Sequence, residues 1–216
     1  MSLGKEFLLL FSVLFLPGLV SQTVGIDARA FDSAFYHLQI LAVSLPQIAL
    51  VIALAELRRP GSAAALGWRK LRSTDVGSAA LDYAAIVCCV AVIGGVASLT
   101  GAADALGTPD AWSFSRYELI PLLIVSTLAI GYREEVFYRA YLFDRGAELG
   151  LEPTATIVGG ALLFAVGHLY QGVAGFVVAL VVGAVLGLLY IRQRSLHAIA
   201  IAHGAYNLTV LLLISG

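Results

Sequence analysis

The sequence predicts an all-α, polytopic membrane protein with about seven transmembrane helices. Of its 216 residues, 60% are hydrophobic and only 12% are charged, whereas soluble domains carry roughly 25% charged residues. The mean hydropathy of +0.91 is correspondingly high. With a net charge of -1 and no nucleic-acid-binding motif, a nucleic-acid partner is not expected. The lipid bilayer is the expected environment, and the oligomeric state is not predicted.

Apolar segments of about 20 residues, the length that crosses roughly 30 Å of hydrocarbon, follow one another along the chain. Because only short connections join them, one integral membrane domain is expected over residues 1–216. The first segment contains Pro17 and precedes no soluble domain, so a retained helix is favoured over a cleaved signal peptide. The predicted segments lie at approximately 6–24, 33–56, 77–101, 117–143, 154–171, 174–191 and 196–215.

Basic residues predict the orientation of these segments in the membrane. If the N-terminus is cytoplasmic, 11 of the 13 basic residues fall on the cytoplasmic side, and only Arg29 and Arg116 fall outside. The positive-inside rule therefore predicts a cytoplasmic N-terminus and an extracytoplasmic C-terminus. The expected location is a cell membrane, inner or plasma.

The fourth segment carries Glu134, Glu135 and Arg139 within an otherwise apolar run. Because residues four apart share a helix face, Glu135 and Arg139 are expected to pair while Glu134 points elsewhere. A buried carboxylate without a committed partner can take up and release protons, as water activation requires. The alternative places all three charges at the lipid headgroups, but the apolar continuation from Val136 to Phe143 favours burial.

Two later segments contain polar residues at the same four-residue spacing. His203 and Asn207 share one face of the last segment, where they could stabilise an oxyanion or simply hydrogen-bond a neighbouring helix. Phe164 and His168 lie in the fifth segment, where a lone buried histidine is commonly a core residue. On a regular helix His168 would lie about 22 Å from the cytoplasmic start, deeper than the other groups.

Taken together, these motifs resemble those of the CPBP family of intramembrane proteases. This family comprises the type II CAAX prenyl proteases and the bacteriocin-processing, or Abi, proteins. The resemblance implies a helical core at about residues 117–215, preceded by N-terminal accessory helices at about 1–101. The three motifs, which match in residue type, spacing and order, are Glu134-Glu135-x-x-x-Arg139, Phe164-x-x-x-His168 and His203-x-x-x-Asn207.

The resemblance also implies residue roles. Glu134 would activate a water molecule for attack on a peptide carbonyl, with His168 near that water, and His203 and Asn207 would form the oxyanion site. The supporting residues would be Glu135, Arg139 and Phe164.

The resemblance leaves the cofactor open, because members of the family have been described as glutamate proteases and as metalloproteases. A mechanism without a cofactor is favoured, since the separated motifs lack the spacing of a helix-borne HExxH zinc site. The alternative is a divalent metal such as zinc, held by Glu134, His168 and His203.

The implied function is an intramembrane endopeptidase that processes a membrane-associated protein or peptide near its C-terminus or in a leader segment. The alternative is a catalytically inactive scaffold or a bacteriocin-immunity protein of the same fold.

Overall fold

A computed structural model describes residues 2–21, 27, 29–102 and 114–214, and every regular element in these ranges is helical. The all-α prediction is therefore confirmed for this part of the chain. A π-helical segment, Val136–Tyr141, separates α6 from α7. The helices are α1 (Leu3–Leu14), α2 (Leu16–Ser21), α3 (Ala34–Arg58), α4 (Ser62–Ala65), α5 (Ser73–Thr100), α6 (Ile120–Glu135), α7 (Leu142–Glu148), α8 (Pro153–Val166), α9 (Gly172–Gln193) and α10 (Leu196–Ile214).

Among the described residues, four helical stretches are long and apolar enough to cross a membrane, which fits the predicted class of protein. The count of about seven stays a prediction. The first predicted segment divides into α1 and α2 just before Pro17, whose ring removes a backbone donor. Residues 22–24 of that segment and residue 215 of the last predicted segment lie outside the described residues. The four stretches are Ala34–Arg58, Ser73–Thr100, Leu169–Gln193 and Leu196–Leu213.

Helix α6 lies at the centre of the described part, packed between α3 and α10, while α8 packs against α9. The crossing of α6 and α10 brings two glycines into backbone contact. A Cβ atom on Gly131 would lie 2.7 Å from the Ala200 carbonyl oxygen, and one on Gly204 would lie 2.9 Å from the Leu128 Cα. Because no side chain larger than hydrogen fits there, the two backbones approach closely.

Polar contacts attach the ends of these helices to their neighbours. Ser195 caps the start of α10: its hydroxyl accepts from the Ala198 amide at 3.2 Å and donates to the Asp75 carboxylate of α5 at 2.7 Å. In α7, Arg145 donates to Glu6 of α1 at 2.9 Å. These contacts tie α10 to α5 and α7 to α1.

Asp32 joins the residues before α3 to those before α6. Its carboxylate accepts hydrogen bonds from the Ser115 amide at 2.7 Å, the Ser115 hydroxyl at 2.8 Å and the Arg116 amide at 3.1 Å. These donors, led by the Ser115 amide, hold the pKa of the Asp32 carboxyl below its usual value. The starts of the two helices are thereby held together.

Candidate active site

Helix α6 ends with Glu134 and Glu135, and both lie in the interior of the protein. Glu135 is 0% exposed, Glu134 is 9% exposed, and Arg139 on the following π-helical segment is 1% exposed. All six residues of that segment are buried, in agreement with the apolar run from Val136 to Phe143. The structure therefore buries these charges inside the protein.

Glu135 connects three elements through one carboxylate oxygen. Its Oε1 accepts from Arg139 Nη1 at 2.8 Å and from His203 Nδ1 at 2.7 Å. Arg139 also donates through Nη2 to the carbonyl oxygen of Gly183 on α9, at 2.9 Å. The ion pair expected from the four-residue spacing is present, and it extends to the last helix.

Glu134 points in a different direction from Glu135. Its Oε2 lies 3.7 Å from His203 Nε2, and its Oε1 lies 3.3 Å from Arg133 Nη2. Both separations are longer than those made by Glu135. The Glu134 carboxylate faces a cavity of about 370 Å³ that His168, His203 and Asn207 also line.

His168 lies in a turn beyond α8 rather than on a regular helix. Helix α8 has 14 residues, about 21 Å at 1.5 Å per residue, which is shorter than the hydrocarbon thickness. From the turn that follows this helix, His168 lines the same cavity as Glu134 and His203. His168 Nδ1 lies 2.8 Å from the Phe164 carbonyl oxygen; since a carbonyl only accepts, Nδ1 carries the proton and neutral His168 presents a lone pair at Nε2.

The proton on His203 is assigned by the same reasoning. Its Nδ1 faces Glu135, whose carboxylate pairs with Arg139 and accepts only, so Nδ1 is protonated. A neutral imidazole would then have no proton at Nε2 for donation toward the cavity. Donation from Nε2 requires the imidazolium form, whose charge Glu135 and Glu134 would offset.

Asn207 and Phe164 complete the set predicted from the motifs. Asn207 lines the cavity on the same helix as His203, and no hydrogen bond ties its side chain to another residue of the described ranges. The Phe164 ring packs between polar groups, with its centroid 4.4 Å from the His168 ring, 5.6 Å from the His203 ring and 5.0 Å from Arg139 Cζ. Phe164 therefore separates the two histidines and covers the buried guanidinium.

The proposed metal ligands do not form a three-ligand set in this geometry. Within the described ranges, no three His, Cys, Asp or Glu side chains are grouped closely enough to hold a metal ion. One nitrogen of His203 is bonded to Glu135 and one of His168 to a backbone carbonyl. The atoms left to hold a metal would be Nε2 of each histidine and the Glu134 carboxylate.

Two site residues were not identified from the sequence. The sequence analysis counts Arg133 among the basic residues on the cytoplasmic side. The structure shows that Arg133 also lines the cavity beside Glu134. Two of the 11 residues in that count, Arg133 and Arg139, are therefore part of the site. Gly204 gave only the weak signal of a small residue beside His203. Its contact with α6 depends on how two distant segments cross.

These features define a polytopic α-helical membrane protein with a buried carboxylate–histidine site beside a cavity. Residues 116–209 match the family described as Rce1-like, "Type II CAAX prenyl endopeptidase Rce1-like". This match confirms the resemblance inferred from the motifs, and residues 116–209 are similar to that family. It supports hydrolase activity of the CAAX protease type. No curated protein and no solved structure matches the chain.

Proposed function

We propose that this protein is an intramembrane endopeptidase in which Glu134 activates the hydrolytic water. The observation that carries the proposal is the division of the doublet. Glu135 is committed to two short contacts, whereas Glu134 faces the cavity with His203 Nε2 at 3.7 Å. A carboxylate at a cavity wall, close to two histidines, can serve as a general base.

The reaction begins with water held between Glu134 and the His168 Nε2 lone pair. Glu134 takes a proton from the water molecule while the oxygen of that water attacks the carbonyl carbon of the peptide bond. The resulting oxyanion receives donors from the Asn207 amide and from Nε2 of the His203 imidazolium. The proton on Glu134 then passes to the leaving amine as the carbon–nitrogen bond breaks, which yields a carboxylic acid and an amine and restores the Glu134 carboxylate; the acid then loses its proton to solvent.

Glu135 and Arg139 have a positioning role in this scheme. Glu135 orients His203 and balances its charge, and Arg139 ties Glu135 to α9 through the Gly183 carbonyl oxygen. This arrangement resembles the use of a buried carboxylate to orient a catalytic histidine. Phe164 keeps His168 and His203 apart so that both face the same reacting group.

The substrate class follows from the surroundings of the site. The cavity lies among helices that fit a membrane protein, so we expect a membrane-associated protein or peptide, cleaved near its C-terminus or in a leader segment. The described family acts on CAAX prenyl substrates, as its name states. We place the protein in the cell membrane, with its N-terminus in the cytoplasm and about seven transmembrane helices.

Glu134→Gln tests the proposed base, because an amide keeps the shape of the carboxylate but cannot take up the proton. We expect the cleavage rate of a farnesylated CAAX peptide in proteoliposomes to fall about 10²- to 10⁴-fold. Comparing membrane-protein termini in cells with either form extends the measurement to unidentified substrates. The matched control is Glu118→Gln, since Glu118 forms an exposed ion pair with Arg116.

Three outcomes distinguish the readings. Full activity of Glu134→Gln excludes Glu134 as the base, and no cleavage of the peptide or of any cellular terminus by the wild-type protein favours the inactive scaffold or immunity protein. Loss of wild-type activity in 1,10-phenanthroline, restored by zinc, favours the metalloprotease. The glutamate mechanism predicts unchanged activity in the chelator.

A further inference from the structure

Arg133 introduces a cation into the cavity that the proposed mechanism does not use. Its side chain is 21% exposed and lines the cavity with Glu134, His168 and His203. Arginine at such a position is expensive in an apolar environment unless its donors are satisfied. The arrangement of its donors therefore indicates what the cavity holds.

The guanidinium of Arg133 makes fewer and longer hydrogen bonds than those of Arg139 and Arg69. It offers five N–H donors, but its contact with Glu134 is 3.3 Å long, and its Nε is buried without a partner among the described residues. By contrast, Arg139 contacts Glu135 at 2.8 Å, and Arg69 contacts Asp75 through two nitrogens at 2.7 and 2.8 Å. Buried donors without partners are unfavourable, so Arg133 has capacity for a further acceptor.

The chemistry of that acceptor follows from the guanidinium and from the proposed function. A planar guanidinium fork matches a carboxylate in two parallel hydrogen bonds. The backbone amides of a peptide are uncharged, so a peptide carries carboxylates only at its C-terminus and on acidic side chains. We propose that Arg133 binds a carboxylate of the peptide substrate; this inference rests on the proposed function. Because Arg133 contacts Glu134 itself, the bound carboxylate lies within a few residues of the cleaved bond.

Binding measurements with three peptides test this inference without depending on cleavage. The probes are one farnesylated CAAX peptide as the free acid, the same peptide as a C-terminal amide, and the amide with one aspartate in place of a neutral residue. We expect the wild-type protein in detergent to bind a carboxylate-bearing peptide at least about tenfold more tightly than the plain amide. Preference for the free acid assigns the site to the chain terminus, and preference for the aspartate peptide assigns it to a side chain.

Variants of Arg133 connect that preference to the guanidinium. Arg133→Gln should abolish the difference between the peptides, Arg133→Lys should retain only part of it, and the surface control Arg116→Gln should leave it unchanged. Equal affinity of the wild-type protein for all three peptides, or failure to bind any, overturns the inference, and so does a full preference in Arg133→Gln. If Arg133→Gln does not fold, the three peptide affinities of the wild-type protein and of Arg133→Lys still test whether Arg133 binds the carboxylate. Failure of the proposed function is distinguishable from failure of this inference, because the former would appear as full cleavage activity of Glu134→Gln and the latter in the binding measurements.

Discussion

At the residue scale, the main feature is a single carboxylate oxygen that receives two donors from different elements. Glu135 Oε1 holds both Arg139 and His203, while its Oε2 has no partner within the described ranges. Burial of such ions is unfavourable unless they are paired, so removal of one partner leaves an uncompensated charge. The ion pair therefore maintains the site geometry even though it does not contact the reacting bond.

Arg139→Ala tests this interpretation. We expect it to lower the free energy of unfolding by about 3–5 kcal/mol, because Glu135 would remain buried without its cation. Denaturant unfolding of the purified protein in detergent, followed by tryptophan fluorescence, measures the change. Arg116→Ala is the control, because Arg116 forms an ion pair at the surface and such pairs contribute little. Unchanged stability of Arg139→Ala contradicts the structural role.

The sequence predicts these contacts to different extents. The Glu135–Arg139 pair follows from a local helical spacing, and the structure contains it. The Glu135–His203 bond joins residues 68 positions apart, and no local rule indicates which ring nitrogen meets which carboxylate. The contribution of Arg133 to the cavity was not predicted, because the sequence does not distinguish its basic side chain from a loop charge. Contacts set by helix crossing were therefore not predictable from the sequence.

At the element scale, the crossing of α6 and α10 determines where His203 meets the doublet. Gly131 and Gly204 remove the side chains that would separate the two backbones, and His203 directly precedes Gly204. The apolar segments themselves were predictable from hydropathy, but this close approach was not. The end of α8 before His168 was equally unpredictable, because the apolar pattern continues through the turn.

Gly204→Ala tests the importance of close approach. A Cβ atom there would lie 2.9 Å from the Leu128 Cα and 3.1 Å from the Thr127 carbonyl oxygen, so the helices would have to move apart. We expect a loss of about 1–3 kcal/mol of stability and a drop in cleavage rate as His203 moves away from Glu135. The control is Gly94→Ala on α5, where nothing lies within 4 Å of the added Cβ. Equal behaviour of the two variants in unfolding and cleavage assays contradicts the prediction.

At the scale of the whole molecule, the distribution of basic residues still predicts a cytoplasmic N-terminus. Two of the eleven basic residues on the predicted cytoplasmic side, Arg133 and Arg139, also contribute to the site, and the remaining nine alone keep the same bias over Arg29 and Arg116. The ion pairs of two of these nine residues agree with a position on one side of the protein: Arg58 and Arg145 both contact Glu6 at one end of α1. The opposite end of the bundle carries Arg116.

Reporter fusions at Gly216 test this orientation. We expect alkaline phosphatase to be active and green fluorescent protein to be dark in a Gram-negative host, because the positive-inside rule places that end outside the cytoplasm. The same reporters inserted after Lys70 should behave in the opposite way. Fluorescence at Gly216 together with phosphatase activity after Lys70 would show that the orientation is inverted.

The bond between Glu135 and His203 also bears on biosynthesis. The ribosome releases α6 for membrane insertion before α10, so the nascent chain carries its carboxylates in the bilayer while the histidine is still missing. In that interval Arg139 can neutralise Glu135 within the same continuous helical stretch. Under the proposed mechanism, the protein can hydrolyse a peptide bond only after the last helix has packed and His203 has reached Glu135.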